Sequence, residues 1–193
     1  GTNVLGDMGD YTVIGNTTPR YQYTLNGAVS WKGITLSVMF QGIGKRDWDP
    51  TGSVYFWGSS SYAQVTVFKE HLDYWTEDNK NAYYPKPYIN SAGAVGKYNA
   101  KTSGEPTDRY LQNAAYCRLK NLTLSYDLPA SLIGKFNLQQ VRVFFSGENL
   151  FTITKLKGMF DPESIFTSNG YTGEGGKNYP MNRVLSVGLT VSL

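Results

Sequence analysis

The sequence predicts an all-β protein, an antiparallel set of strands that forms a segment of a transmembrane β-barrel. Three observations support this fold class. Five segments alternate apolar with polar residues, their connections alternate between short and long, and aromatic residues make up 15% of the chain against 17% for charged residues. Alternation with a period of two places successive side chains on opposite faces of a strand. Each strand is therefore expected to have one apolar and one polar face.

The five predicted strands run over residues 21–31, 34–42, 117–128, 140–150 and 184–193. In the last of them, an apolar residue occupies every second position from Leu185 to Leu193. The polar sides of the other strands carry six residues that we expect to face the barrel lumen: Asn26, Gln41, Asn121, Asp127, Arg142 and Glu148. Hydrogen bonds among these residues within the wall would satisfy them equally well.

The connections predict which end of each strand faces which side of a membrane. A tight turn at Lys32-Gly33 and the segment 129–139 are short, whereas the connections 43–116 and 151–183 are long. Long loops are uncommon inside a compact soluble domain, but outer-membrane barrels have short periplasmic turns and long extracellular loops. We therefore expect both long loops outside the cell. Five strands cannot close such a barrel, so further strands are expected before residue 1.

Aromatic residues on the strands fall at two levels. Trp31 and Tyr126 would lie near the periplasmic interface, and Tyr21, Tyr23 and Phe40 near the outer one, as the aromatic girdles of a barrel require. Cross-strand aromatic pairs in a soluble sheet would use the same residues. The alternation of loop lengths favours the barrel.

The sequence contains no recognisable catalytic residues, and we expect neither an enzyme nor a cofactor. The net charge of +3 is spread along the chain, which argues against nucleic-acid binding. His71 is the single histidine and Cys117 the single cysteine, too few for a zinc site, and we expect His71 to be solvated. Asp47 and Asp49 have the spacing that opens a calcium loop, but Gly58 stands where the bidentate Glu belongs. No metal site is predicted.

The first long connection is rich in aromatic residues, and three tryptophans are candidates for contacts with a solute or a partner: Trp48, Trp57 and Trp75. Tyr and Trp dominate binding hot spots. The alternative is that the loop aromatics form a small core of their own, which we expect for most of them.

Several segments, in order along the chain, resemble the SusC/RagA family of TonB-linked outer-membrane proteins. Residues 10–21 read DYTVIGNTTPRY, residues 110–124 read YLQNAAYCRLKNLTL, residues 146–152 read SGENLFT, and residues 186–193 read SVGLTVSL. The segment 110–124 is the most specific of these. The family usually ends in Phe, whereas this chain ends in Leu193.

The resemblance implies a plugged barrel of about 22 strands, of which this chain would supply the last five. It also implies a SusD-like surface lipoprotein as partner, coupling to TonB through an N-terminal part that this chain lacks, and uptake of glycans or peptides across the outer membrane of a Bacteroidetes-like Gram-negative cell. Outer-membrane lipid would surround the wall. Leu189, Val191 and Leu193 would form the C-terminal barrel-assembly signal. The rival interpretation is a secreted soluble β-sandwich that binds carbohydrate.

Overall fold

A computed structural model describes residues 9, 12–50, 56, 68–86, 107–165 and 178–193. Its strands, in chain order, are β1 (Arg20–Trp31), β2 (Ile34–Lys45), β3 (Asp47–Trp48), β4 (Gln112–Asn113), β5 (Tyr116–Asp127), β6 (Gln140–Thr154) and β7 (Val184–Ser192). A five-stranded antiparallel sheet has the order β1-β2-β5-β6-β7, and β3 pairs with β4. The predicted antiparallel all-β fold is confirmed.

Short helical segments lie in the connections. Helix α1 (Ala130–Ile133) and a 3₁₀ turn (Gly134–Phe136) join β5 to β6, and a second 3₁₀ turn (Lys69–Leu72) lies in the first long connection. Pro129 precedes α1 with a φ of −66°, a fixed value that suits a helix start. Within the described residues, no helix is long and apolar enough to cross a bilayer.

Two strands extend further into the long connections than the sequence pattern indicates. β2 ends at Lys45 rather than at residue 42, and β6 at Thr154 rather than at residue 150. The extra residues remain paired, because Tyr116 at the start of β5 lies opposite Ile43 on one side and Thr154 on the other. Backbone pairing therefore continues beyond the regular alternation of side chains.

The register places nearly all the apolar strand residues on one face of the sheet. Residues directly opposite each other in a ladder share a face, and one such row crosses all five strands. It consists of Val29, Leu36, Leu124, Phe145 and Val187. Val29 is 63% exposed and Val187 78% exposed. The sheet thus presents an apolar surface that the described residues leave uncovered.

A bulge crosses the middle of the sheet at one level. β5 carries Lys120 as an extra residue relative to β2, and opposite it β6 carries Asn149 and Leu150. Asn149 adopts a φ of +52°, a conformation that Asn tolerates better than most residues. Because of the bulge, Leu119 and Leu122 lie on the same face although they are three residues apart.

Two glycines lie beneath aromatic rings of the neighbouring strand. Tyr23 lies opposite Gly42 on the apolar face, and its hydroxyl donates to the Tyr116 carbonyl over 3.3 Å. Phe144 lies opposite Gly188 on the polar face, and its ring atoms occupy the place of a Cβ at that glycine. A ring folded over a strand glycine restores packing that the missing side chain would leave open.

Candidate functional site

The polar face of the sheet contains all six residues that the sequence predicts to face the lumen. Ladder pairing brings four of them together, since Asn121 lies opposite Glu148 and Asp127 lies opposite Arg142. Gln41 lies opposite Arg118, a residue outside the predicted set. Asn26 lies opposite Met39 and apart from the others. The structure thus places the six residues on one surface, which is polar across β1 to β6.

One charge pair lies on this face at the end of the sheet next to the short connections. Arg142 donates from Nε and Nη2 to the two carboxylate oxygens of Asp127, over 2.7 and 2.8 Å, and Gln140 donates to the same carboxylate over 3.0 Å. The side chain of Arg142 is 43% exposed and that of Asp127 is 32% exposed. This fork geometry fixes the orientation of both side chains, but water screens the pair.

A second charge cluster includes the bulge residue Lys120, and its charges are more buried than those of the first pair. Arg118 donates to Asp161 over 2.8 Å and to the Thr152 hydroxyl over 2.7 Å, and its Nη1 lies 3.0 Å from Glu163. Lys120 donates to the same Glu163 oxygen over 3.0 Å. The side chains of Arg118 and Asp161 are 4% and 8% exposed. We call these five residues the charge node.

The charge node attaches the second long connection to the sheet. Besides binding Arg118, the Asp161 carboxylate accepts hydrogen bonds from the backbone N–H groups of Glu163 and Met181. One side chain therefore holds both ends of the segment that returns to β7. The charge node was not predicted, although the sequence does contain two basic residues two positions apart on a strand and two carboxylates two positions apart in a loop.

The two long connections share one buried core. Its members are Trp48, Phe56, Tyr84, Tyr110, Ala114, Leu156, Phe160 and Ile165, which we call the loop core. The rings of Trp48 and Phe160 meet edge to face at 4.7 Å, and those of Phe56 and Tyr110 at 5.6 Å, separations typical of favourable aromatic pairs. Because Trp48 and Phe160 come from different connections, these contacts join the two loops.

The three tryptophans predicted to make contacts have different environments. Trp48 is 4% exposed inside the loop core, so its ring offers almost no surface to a solute or a partner. For Trp48 the contact prediction is corrected to the alternative, a core role. Trp75 is 42% exposed and remains a candidate. Trp57 lies outside the described residues.

His71 is buried, and the expectation that it would be solvated is wrong. Its Nδ1 accepts a hydrogen bond from the Phe68 N–H over 2.9 Å, and its Nε2 lies 3.0 Å from the Phe56 carbonyl oxygen. A carbonyl can only accept, so Nε2 is the nitrogen that donates in this pair. His71 thus joins two backbone segments beside the loop core.

Burial also changes the chemistry of the loop tyrosines. It raises the pKa of Tyr83 and raises that of Tyr84 further, with repulsion from Tyr83 adding to the second shift. The Lys157 ammonium lies 3.9 Å from the centre of the Tyr83 ring, a cation–π contact between the two long connections. These tyrosines act as packed neutral side chains at physiological pH.

The aspartates at the calcium-like spacing have structural partners. The Asp47 carboxylate accepts a hydrogen bond from the Asn16 N–H over 2.9 Å, and the Asp47 N–H donates to the Asn16 carbonyl over 3.0 Å. Arg46 donates to the Thr17 carbonyl over 3.0 Å. These bonds hold the segment before β1 against the end of β2. Among the described residues, no three acidic, His or Cys side chains cluster as metal ligands.

The predicted assembly signal lies on the apolar face of the edge strand β7. Leu189 and Val191 lie opposite Val143 and Val141 of β6. Leu193 follows the last strand residue and is 86% exposed. The three residues form an accessible apolar row, and their role in assembly stays a prediction.

Comparisons with known proteins identify the relatives of this chain. No protein-family model matches the sequence. Over 189 residues it is 30% identical to TonB-dependent receptor P3 of Formosa agariphila, an alignment that covers 94% of this chain and 17% of that receptor. The RagAB peptide importer matches in its open-open state with a TM-score of 0.61 and 28% identity, and in its closed-closed state with 0.64 and 29%.

Each RagAB match covers 94% of this chain and 18% of the solved chain. The chain therefore spans less than a fifth of the length of the relatives that it matches. Both the sequence match and the fold match extend over nearly all of this chain, so they do not depend on one short motif. The predicted resemblance is confirmed, and the chain is a segment of a SusC/RagA-like TonB-dependent receptor.

Proposed function

We propose that this chain forms part of the barrel wall of a TonB-dependent outer-membrane importer. The observation that carries the proposal is the sheet with two unlike faces. The apolar face is exposed on the edge strands β1 and β7 and largely half-buried or exposed between them, while the opposite face carries amides, hydroxyls and charges. A soluble sandwich buries its apolar face under a second sheet. A barrel wall turns that face to lipid and the polar face to the lumen.

Strands outside this chain complete the wall in this proposal. β1 and β7 form the edges of the five-stranded sheet, and an unpaired strand edge in lipid costs several kcal/mol per backbone group. Pairing of both edges with further strands of the same receptor gives a closed barrel of about 22 strands around a plug. The receptor would couple to TonB through its N-terminal part.

The two ends of the sheet take different sides of the membrane in this proposal. The short connections lie at the periplasmic end, and the loop core and charge node lie outside the cell, at the mouth of the barrel. There the joined loops would meet a SusD-like lipoprotein and an oligosaccharide or peptide, with Trp75 as a contact. The matched structures are those of a peptide importer, which supports a peptide as one candidate solute.

Transport in this proposal involves no covalent chemistry. The polar face provides a hydrogen-bonding wall for the passing solute, including the Asn121–Glu148 and Asp127–Arg142 pairs. The matched proteins are a receptor and an importer rather than enzymes. The chain therefore contributes shape and polarity to a path, while energy enters through the plug.

Cysteine accessibility of two adjacent residues tests the barrel wall. Leu36 lies on the apolar face and Ser37 on the polar face of β2. In the full-length receptor with Cys117→Ser, we expect Ser37→Cys to react with a small hydrophilic methanethiosulfonate reagent in intact outer membranes. Leu36→Cys should be protected there and react only after unfolding. Equal reactivity of both cysteines in the membrane would contradict the proposal.

A further inference from the structure

An apolar groove opens on the uncovered face near the short-connection end of the sheet. It has a volume of about 710 Å³, within the range of about 300–1,000 Å³ that is usual for small-molecule sites. Its lining includes Ile34, Leu124, Tyr126, Phe145 and Val187, with Lys32 at the turn between β1 and β2. The groove is thus apolar along its length and positively charged at one end.

The groove crosses the sheet obliquely, over four strands and two rows of side chains. Ile34 and Tyr126 lie opposite each other at the end of the sheet, and Leu124 and Phe145 lie opposite each other one row further in. Val187 lies in that same inner row. A linear hydrocarbon chain can therefore start at the Lys32 turn and extend obliquely across the strands to Val187 of β7.

The charged end of the groove carries a positive charge that no nearby carboxylate balances in the described part of the chain. The Lys32 ammonium lies 4.8 Å from the centre of the Trp31 ring, and no carboxylate pairs with it in the described part of the chain. The segments 24–37, 121–147 and 185–192 contain a single acidic residue, Asp127, and Arg142 and Gln140 already bind it. The cation at the groove is therefore available to an anionic ligand.

The neighbouring connection marks the same level as a membrane interface. Leu132 and Phe136, in the segment between β5 and β6, are 56% and 74% exposed, and Lys135 lies between them. Exposed apolar and aromatic side chains next to lysines are typical of the boundary between headgroups and acyl chains. Trp31, which is 67% exposed, lies at this level too.

We propose that this groove binds one anionic phospholipid, whose acyl chain lies along Ile34, Leu124 and Val187 while its phosphate contacts Lys32. The site is distinct from the general lipid layer around a barrel, because it joins a shaped apolar channel to a cation that has no carboxylate partner among the residues the structure describes. The inference rests on the proposed membrane location of the sheet. It adds a structural lipid, held on the outside of the wall, to a protein proposed to move solutes through the inside.

Lipid retention by the full-length receptor tests the inference. The receptor is reconstituted in nanodiscs that contain equal amounts of phosphatidylglycerol and phosphatidylcholine with identical acyl chains. It is then extracted into mild detergent and analysed by native mass spectrometry. We expect one phosphatidylglycerol to be retained in preference to phosphatidylcholine. Lys32→Gln should reduce that retention about fivefold, since one lysine near an anionic headgroup contributes about this factor.

Two further variants separate the charge from the groove. Val187→Trp fills the groove without changing the charge and should also reduce selective retention. Lys45→Gln makes the same charge change at the opposite end of β2 and should leave retention unchanged. The inference is overturned if Lys32→Gln retains phosphatidylglycerol as the unmodified receptor does, or if the unmodified receptor retains both lipids equally.

A gel-shift measurement distinguishes this failure from a failure of the proposed function. A folded barrel migrates differently before and after heating. A receptor that shows heat-modifiable migration but no lipid preference refutes the lipid site alone. A receptor that shows no such migration and stays soluble refutes the barrel wall and the lipid site together.

Discussion

The sheet and the loop core use aromatic and aliphatic residues in opposite ways. On the sheet, Trp31 is 67% and Leu25 65% exposed, whereas in the loop core Trp48 is 4% and Ile165 1% exposed. The regular part of the molecule thus leaves its apolar surface open, and the irregular part buries its own. In most soluble domains the regular elements supply the core and the loops lie at the surface.

This reversal shows where each region obtains its stability. The loops fold around contacts within this chain, from Trp48 in one connection to Phe160 in the other. The sheet has ladder hydrogen bonds but lacks, within the described residues, a cover for its apolar face. In the proposed barrel wall, lipid and adjacent strands supply that cover. Substitutions should therefore affect the two regions under different conditions.

Loss of Arg118 should have the largest effect on the loops. Arg118→Ala would leave the buried carboxylate of Asp161 and that of Glu163 without their guanidinium partner. Breaking a buried ion pair from one side costs about 3–5 kcal/mol, so residues 156–165 should open far more often. Hydrogen exchange of these amides in the full-length receptor measures the change.

Arg142→Ala provides the matched control for that experiment. It removes the same type of guanidinium–carboxylate pair, but from an exposed position, where such pairs contribute little. We expect amide exchange in residues 156–165 to stay unchanged. Equal effects of Arg118→Ala and Arg142→Ala would show that burial of the charge node is not what anchors the loop.

Truncation of Trp48 should loosen both long connections together. Trp48→Ala opens a cavity beside Phe160 and should cost about 3 kcal/mol of local stability. We expect a protease to cleave both connections faster than in the unmodified receptor. Trp75→Ala, at a half-exposed position of the first connection, should leave the cleavage rates unchanged. Cleavage that rises in the first connection alone would refute the shared core.

Replacement of His71 should have a smaller, more local effect. His71→Ala leaves the Phe68 N–H and the Phe56 carbonyl without their present partner, at a cost of about 1–3 kcal/mol. Hydrogen exchange around residues 68–74 should accelerate, while β5 and β6 keep their protection. His71→Asn, whose side chain also has a donor and an acceptor, should restore part of the protection. If His71→Ala exchanged like the unmodified protein, the buried role would be wrong.

The smallest expected effect is a loosening of the loop core at alkaline pH. Burial raises the pKa of Tyr84 above the ordinary value of 10.0, so the folded state favours the neutral phenol. This contribution to stability is complete below about pH 10 and declines as the pH rises beyond it, since the unfolded chain ionises first. Phenolate absorbance should therefore lag in the native receptor. Tyr84→Phe should reduce the lag, and an unchanged titration would contradict the assignment.

The faces of the sheet could be predicted from the sequence because a strand encodes them locally. Leu36 and Ser37 fall on opposite sides whatever else the chain does. The same alternation places Asn26 and Asp127 on the polar face. It fails at Lys120, where one extra residue shifts the pattern, and the spacing of Leu119 and Leu122 is the trace that this bulge leaves in the sequence.

The loop core could not be predicted in the same way, because its contacts join residues far apart without a period. Nothing near Trp48 indicates that Phe160 will cover it, and nothing near His71 indicates that the Phe56 carbonyl will accept its hydrogen bond. The expectation that loop aromatics form a core was correct, but Trp48 was expected to make external contacts and instead lies in that core. Burial in a loop depends on chain closure, which local sequence does not encode.

The two glycines beneath aromatic rings differ in which atoms exclude a larger side chain. A side chain at Gly42 would strike the backbone oxygen of Tyr116, whereas one at Gly188 would strike only the ring of Phe144 among its nearest atoms. The first position is therefore closed to every other residue as long as the strands keep their register. The second is closed only while its neighbour stays large. An evolutionary path that enlarges Gly188 must first shrink Phe144, so the order of the two mutations, and not merely their combination, decides whether the intermediate can fold.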